Sequence, residues 1–175
     1  MKNTALIQLI GFSATAAGGV LLHFLYDWTK GSKLAAPFSG VNESTWEHMK
    51  LLYYPLLVFS LIQSRFFDDY DNFWCVKLIG ILTGLLLIPV LFYTINGVFG
   101  KTPDFINIAI FFVSAAAVFI MEKYLFEICC FPFCNNRAAF IVICLIGVLF
   151  VLFTFRTPKI PLFLDPVTGK YGVKQ

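Results

Sequence analysis

Charged side chains are scarce in this sequence of 175 residues, where Lys, Arg, Asp and Glu together make up 13%. Hydrophobic residues make up 59% and the mean hydropathy is +0.81, which excludes an ordinary soluble domain. The formal net charge is only +3 and the basic residues are scattered, so no basic stripe indicates nucleic acid binding. We therefore interpret the chain as a membrane protein whose first partner is the lipid bilayer.

Cysteine and histidine, which supply most zinc sites, are also few. The five cysteines are an odd number without a Cys-x-x-Cys pair, so the sequence implies no disulfide framework. Cys75 is expected on the same side as the segment 129–134, where a disulfide forms only if that side is oxidising. The two histidines, His23 and His48, exclude a three-histidine zinc site within one chain.

Five apolar segments are long enough to cross a bilayer, because its core of about 30 Å takes roughly 20 residues as a helix. They run over residues 5–26, 45–64, 73–95, 105–126 and 137–155. The short, even, alternating segments of a membrane β-barrel are lacking. The sequence predicts an all-α integral membrane protein, with a bundle of five transmembrane helices over residues 1–156 and a short ordered tail over 157–175.

The most unusual stretch is Val41–Lys50, which sets four ionisable side chains within eight positions of an apolar chain. With five spans, the end of the first span lies on the same side, so His23 and Asp27, one helical turn apart, can converge on this stretch. Imidazole and carboxylate ligands suit zinc, or iron and manganese in a carboxylate-rich site. We predict a divalent metal site from His23, Asp27, Glu43 and His48. The catalytic candidates are Glu43, Glu47 and His48.

Each of these groups also has a structural interpretation. Ser44-x-x-Glu47 before an apolar run is a capping box, and Glu47 can form an ion pair with Lys50, three residues on. The two histidines can instead lie at the headgroup boundary, hydrogen-bonded to Asp27 or to a backbone carbonyl. The metal site and these structural roles stay open as alternatives.

Two further features bear on function. Glu122 lies near the end of the fourth segment, where a charged side chain is expected to snorkel to the interface. If it faces inward instead, it suggests a polar path across the bundle. The tail carries two short apolar runs around a turn. It can fold back as a lid that brings Asp165 or Tyr171 near His48. Alternatively, it forms a surface peptide that docks a partner.

The Val41–Lys50 run, the Tyr54-Pro55 pair after it and the segment from Leu162 to Gly172 resemble an uncharacterised family of small bacterial multi-pass membrane proteins. The likeness covers essentially the whole chain. It implies a bacterial membrane location, and no activity or residue role follows from it.

Together these features favour a metal-dependent enzyme that acts on a lipid-borne or small-molecule substrate at one membrane face. One alternative is a small-solute or ion channel or transporter, with the same groups at its entrance. Another is a non-catalytic assembly subunit. A homo-oligomer is a further possible partner, because the metal site can be shared across a homodimer and a channel of five helices would need several copies. The sequence leaves enzymatic activity open. The excess of Lys and Arg in the loops and tail of one face predicts that the carboxyl terminus is in the cytoplasm. The resemblance implies the bacterial membrane, so we expect an inner-membrane protein.

Overall fold

The computed structural model describes residues 4–67, 70–100, 103–128 and 134–173. Within these ranges the elements are α1 (Thr4–Trp28), α2 (Thr45–Ser64), α3 (Phe73–Phe99), α4 (Asp104–Ile128), α5 (Asn136–Phe155) and a 3-10 helix, η1 (Pro161–Phe163). The all-α prediction is confirmed, and each predicted helix end lies within about one turn of the observed end. Cys129 and Cys130 lie outside the described ranges.

Four of the helices, α1, α3, α4 and α5, are long and apolar enough to cross a membrane. The five spans expected from the sequence are therefore matched by four apolar helices and one more polar helix. The polar helix is α2, whose first turns carry Glu47, His48 and Lys50. It packs against each of the other four helices, so its polar side chains are covered by the apolar helices around it.

Small residues let the helices approach closely, as their spacing in the sequence suggests. A Cβ atom added at Gly84 of α3 would come within 2.6 Å of Val118 and 2.7 Å of Leu52. The core at this level consists of buried aliphatic and aromatic side chains, with α2 at its centre. Gly80, one turn earlier, gives the same room to the side chain of Glu122.

A disulfide between Cys75 and Cys134 joins the starts of α3 and α5. Next to it, the side-chain oxygen of Asn136 accepts a hydrogen bond of 2.6 Å from the backbone N–H of Trp74. These bonds fix the end of the bundle that lies opposite the α1–α2 loop. From the sequence, a disulfide of Cys75 with the 129–134 segment was expected only if that side of the membrane is oxidising.

The carboxyl-terminal tail folds back onto the start of α2. The ring of Phe163 lies 4.6 Å from that of Trp46, measured between centroids, and Phe163 is buried. The Asn42 side-chain amide donates a hydrogen bond of 2.9 Å to the carbonyl of Gly172. The tail is thus tied both to α2 and to the loop that precedes it.

Candidate functional site

Two histidines and one carboxylate meet where the end of α1 faces the start of α2. His23 Nε2 lies 3.8 Å from Glu43 Oε1, and His48 Nε2 lies 3.7 Å from Glu43 Oε2. The centroids of the two imidazole rings are 6.2 Å apart. Both distances to Glu43 exceed the length of a hydrogen bond, so the three groups form an open cluster, which we call the His–Glu–His cluster.

The His48 ring is held in place by its own helix. Its Nδ1 lies 3.0 Å from the backbone carbonyl oxygen of Ser44. Because a carbonyl oxygen only accepts hydrogen bonds, Nδ1 carries the proton and donates it. In the neutral ring, the lone pair of His48 is therefore on Nε2, the nitrogen that faces Glu43.

Glu47 does not take part in the cluster. Its side chain is buried, accepts a hydrogen bond of 3.0 Å from the backbone N–H of Val41 and lies 2.5 Å from Lys50 Nζ. The Lys50 ammonium also donates to the carbonyl of Ala36 at 2.9 Å and to the hydroxyl of Thr154 at 3.2 Å. This buried pair ties the α1–α2 loop to α2 and α5, so the geometry gives Glu47 a structural role.

The capping prediction for Glu47 is confirmed in one half only. The Ser44 hydroxyl accepts a hydrogen bond of 3.4 Å from the Glu47 backbone N–H, as a helix cap requires. The reciprocal bond of a capping box is absent, since the Ser44 N–H donates to the side-chain oxygen of Asn42 instead, at 2.9 Å. The Glu47 carboxylate is thereby free to reach Val41 and Lys50.

Asp27, a predicted metal ligand, is exposed at the last turn of α1. Among the described residues no hydrogen bond or ion pair joins its carboxylate to His23. Within the same residues, no group of three or more His, Cys, Asp or Glu side chains is placed to hold a metal ion. The structure therefore brings together His23, Glu43 and His48 and leaves Asp27 and Glu47 apart.

An apolar groove of about 210 Å³ adjoins the cluster between α1 and α4. Its apolar walls come mainly from these two helices: Gly19, Val20, Phe24, Ile108, Phe111 and Phe112. Among the described residues that line it, the polar side chains are those of His23 and His48. The cluster thus forms the polar part of an otherwise apolar groove.

A small cleft lies on another side of His48, lined also by Thr45 and Asn107. The side-chain oxygen of Asn107 is buried there without a hydrogen-bond partner among the described residues. A volume of about 10 Å³ has room for about one water molecule. Sequence reasoning missed Asn107, although a lone amide near the start of an apolar helix was a visible signal.

The tail does not supply Asp165 to this site. The two carboxylate oxygens of Asp165 accept hydrogen bonds from the N–H of Val167 at 2.9 Å and from the hydroxyl of Thr168 at 2.7 Å. Asp165 therefore stabilises the turn of the tail itself. A polar cleft of about 430 Å³ lies between this turn and Asn42.

A second polar group lies deep in the opposite half of the bundle. Lys77 of α3 and Glu122 of α4 form an ion pair and are both fully buried. The amide of Gln8 lies beside Glu122 without a hydrogen bond of good geometry, and Gln63 is buried with its amide unpaired among the described residues. The snorkelling prediction for Glu122 is wrong, and its inward-facing alternative is correct.

The fold and the site define an all-helical protein with four helices fit to cross a membrane and a His–Glu–His cluster where α1 meets α2. The chain belongs to a family of unknown function, DUF6512, which it matches over residues 2–173. No curated protein and no solved structure matches the chain. The resemblance to an uncharacterised family is thus confirmed, and the family adds no activity.

Proposed function

We propose that this is an integral membrane protein that binds one divalent metal ion through His23, Glu43 and His48 and acts there on a lipid-borne or small-molecule substrate. Zinc, or iron or manganese, suits a site of two imidazoles and a carboxylate. Asp27 and Glu47 have no part in this proposal, because one is exposed and the other is committed to Lys50.

The observation that carries the proposal is the arrangement of two imidazole nitrogens around one carboxylate. The distances of 3.7 and 3.8 Å are close to the roughly 3.4 Å between neighbouring ligands of a tetrahedral ion with bonds of about 2.1 Å. The Glu43 side chain is 42% exposed, so it can rotate to close the remaining gap. The bond from His48 to the Ser44 carbonyl is of the kind that orients most metal-binding imidazoles.

Three protein ligands leave one coordination position for a water molecule or a substrate oxygen. When bound, such an ion activates water or polarises a carbonyl or phosphoryl oxygen. Of the predicted catalytic residues, Glu43 would remain the candidate for proton transfer, because a carboxylate that binds an ion through one oxygen keeps the other free. Both ring nitrogens of His48 would be engaged, Nδ1 with the Ser44 carbonyl and Nε2 with the ion. The Asn107 oxygen, buried beside His48 without a partner in the part of the chain that the structure describes, is an acceptor for a hydroxyl or water in the cleft.

We place the site on the cytoplasmic side of a bacterial inner membrane, with the carboxyl terminus in the cytoplasm. The loops and the carboxyl-terminal tail on the site side together carry the excess of Lys and Arg that cytoplasmic segments show. The Cys75–Cys134 disulfide supports the same orientation, since it joins the opposite end of the bundle and disulfides persist in oxidising compartments.

A channel has less support than a metal site. A conducting path needs polar groups or water across the bundle. Between the cluster and the Lys77–Glu122 pair lies a layer of buried apolar side chains, namely Leu52, Leu56, Ile81, Leu85 and Val118. Among the described residues, the buried polar side chains in the middle of these helices are small hydroxyls such as those of Thr15 and Ser114, so charged groups do not continue from one polar group to the other.

Elemental mass spectrometry of the protein, purified in mild detergent without chelators, tests the proposal. We expect about one zinc, iron or manganese ion per chain in the native protein. His23→Ala, Glu43→Ala and His48→Ala should lose it, and Asp27→Ala, a nearby exposed carboxylate, should keep it. A native protein without stoichiometric metal, after growth with all three metals supplied, would overturn the proposal.

A further inference from the structure

We infer that the groove between α1 and α4 holds one acyl chain of a bilayer phospholipid, whose ester or phosphate oxygen meets the His–Glu–His cluster. This inference rests on the proposed function and names its substrate class. It selects a lipid over a water-soluble molecule.

The groove opens on the outer surface of the bundle. Its rim residues Val20, Phe24 and Ile108 are 45%, 45% and 59% exposed, and they belong to helices fit to cross a membrane. In a bilayer, that surface faces hydrocarbon. A molecule that enters the groove sideways therefore comes from the lipid phase.

The groove reaches α2 at its floor, where His48 and Leu51 line it together with Gly19 of α1. Gly19 allows α1 to pack closely at this point, since a Cβ atom there would overlap the Phe111 ring and come within 3.1 Å of the backbone oxygen of Leu51. The groove is therefore a narrow space between closely packed helices. A long, flexible and unbranched chain suits such a narrow apolar space better than a rigid polar solute does.

The polar side chains that line the groove favour a ligand with an oxygen-bearing group at one end of its acyl chain. The two imidazoles are its polar side chains, and each faces Glu43 through Nε2. The proposed ion, if held there by His23, Glu43 and His48, would take an oxygen atom as a further ligand. An acyl chain attached to an ester or phosphate group supplies both the apolar and the oxygen-bearing parts.

Photo-crosslinking in lipid nanodiscs tests this inference. The full chain is reconstituted with a phospholipid that carries a diazirine on its acyl chain, and the labelled residues are mapped by mass spectrometry. We expect labelling to concentrate on Val20, Phe24 and Phe112 over Val148, a 60% exposed residue of α5. Val20→Trp, which fills the groove, should lower that labelling by about tenfold.

Leu21→Trp is the matched control, because Leu21 is 57% exposed beside Val20 and does not line the groove. Ile108→Trp fills the groove from its opposite wall and provides the same test if Val20→Trp does not fold. Uniform labelling of the apolar surface, or equal loss in Val20→Trp and Leu21→Trp, would overturn the inference.

The metal content of the same samples separates this inference from the proposed function. Bound metal with uniform labelling overturns the acyl-chain site and leaves the metal site standing. Concentrated labelling without metal supports the acyl-chain site and overturns the metal site.

Discussion

Lys77 Nζ lies 2.6 Å from Glu122 Oε2, and neither side chain has any exposed surface. The ammonium group also lies 5.5 to 5.8 Å from the ring centroids of Phe59, Phe73 and Phe119. The pair thus links α3 to α4 inside an aromatic cage. Because the pair is buried, water cannot solvate the charge that is left when one of the two side chains is removed.

Removing one partner of this pair is therefore expected to destabilise the protein strongly. Lys77→Met or Glu122→Gln should lower the free energy of unfolding by about 3–5 kcal/mol, and Lys77→Met with Glu122→Leu should recover most of the loss. Unfolding in mixed detergent micelles measures both. The control is Lys123→Met, since Lys123 pairs with Glu127 at 3.5 Å on the surface and such pairs contribute about 0–1 kcal/mol. A double variant no more stable than either single one contradicts the argument.

The Glu47–Lys50 pair allows structure and metal binding to be told apart. Glu47→Gln leaves the buried Lys50 charge without its partner, which should lower the free energy of unfolding by about 3–5 kcal/mol. We expect the fraction that folds to keep its metal, because Glu47 bonds to Val41 and Lys50 and not to the His–Glu–His cluster. Thermal unfolding and elemental analysis of the monodisperse fraction measure the two effects. Loss of metal without loss of stability would assign Glu47 to the metal site.

The tail is expected to stabilise the whole bundle through Phe163, which is buried against Trp46. Phe163→Ala should lower the free energy of unfolding by about 3–5 kcal/mol, because a buried ring is replaced by a cavity. Val167→Ala, in the same tail but 65% exposed, should change it by no more than about 0.5 kcal/mol. Similar unfolding temperatures for the two variants would show that the tail is not anchored there.

The orientation of the protein in the membrane can be read from its two ends. A carboxyl-terminal fusion to a fluorescent protein should fluoresce and a fusion to alkaline phosphatase should be inactive, because the proposed orientation puts the tail in the cytoplasm. Cys75 and Cys134 should resist alkylation until the protein is reduced, because in that orientation their end would face an oxidising compartment. An active phosphatase fusion would put the His–Glu–His cluster outside the cytoplasm.

The helices were predictable because their signals are local. A run of about 20 apolar residues is read without knowledge of its neighbours, and the observed α5 (Asn136–Phe155) differs by one residue from the predicted segment 137–155. The convergence of His23, Glu43 and His48 was also predictable, since alternating spans return the chain to the same side. The orientation of Asp27 was not, because its exposure depends on how the end of α1 packs.

The inward position of Glu122 could not be predicted from the residues next to it in the sequence. The sequence around it is compatible with snorkelling, and only the close approach of Gly80 and the charge of Lys77 favour burial. The buried oxygen of Asn107 and the groove beside His48 depend in the same way on two or three helices at once.

The sequence by itself determined the all-α architecture, the helix bounds and the two histidines with a carboxylate that share one end of the bundle. Hydrophobic length and chain direction are properties of the chain alone. The tertiary structure decided which carboxylate joins the histidines, where the disulfide forms and that the groove lies between α1 and α4. The physical reason is that these features depend on distances between helices, and such distances are set by the packing of side chains far apart in the sequence.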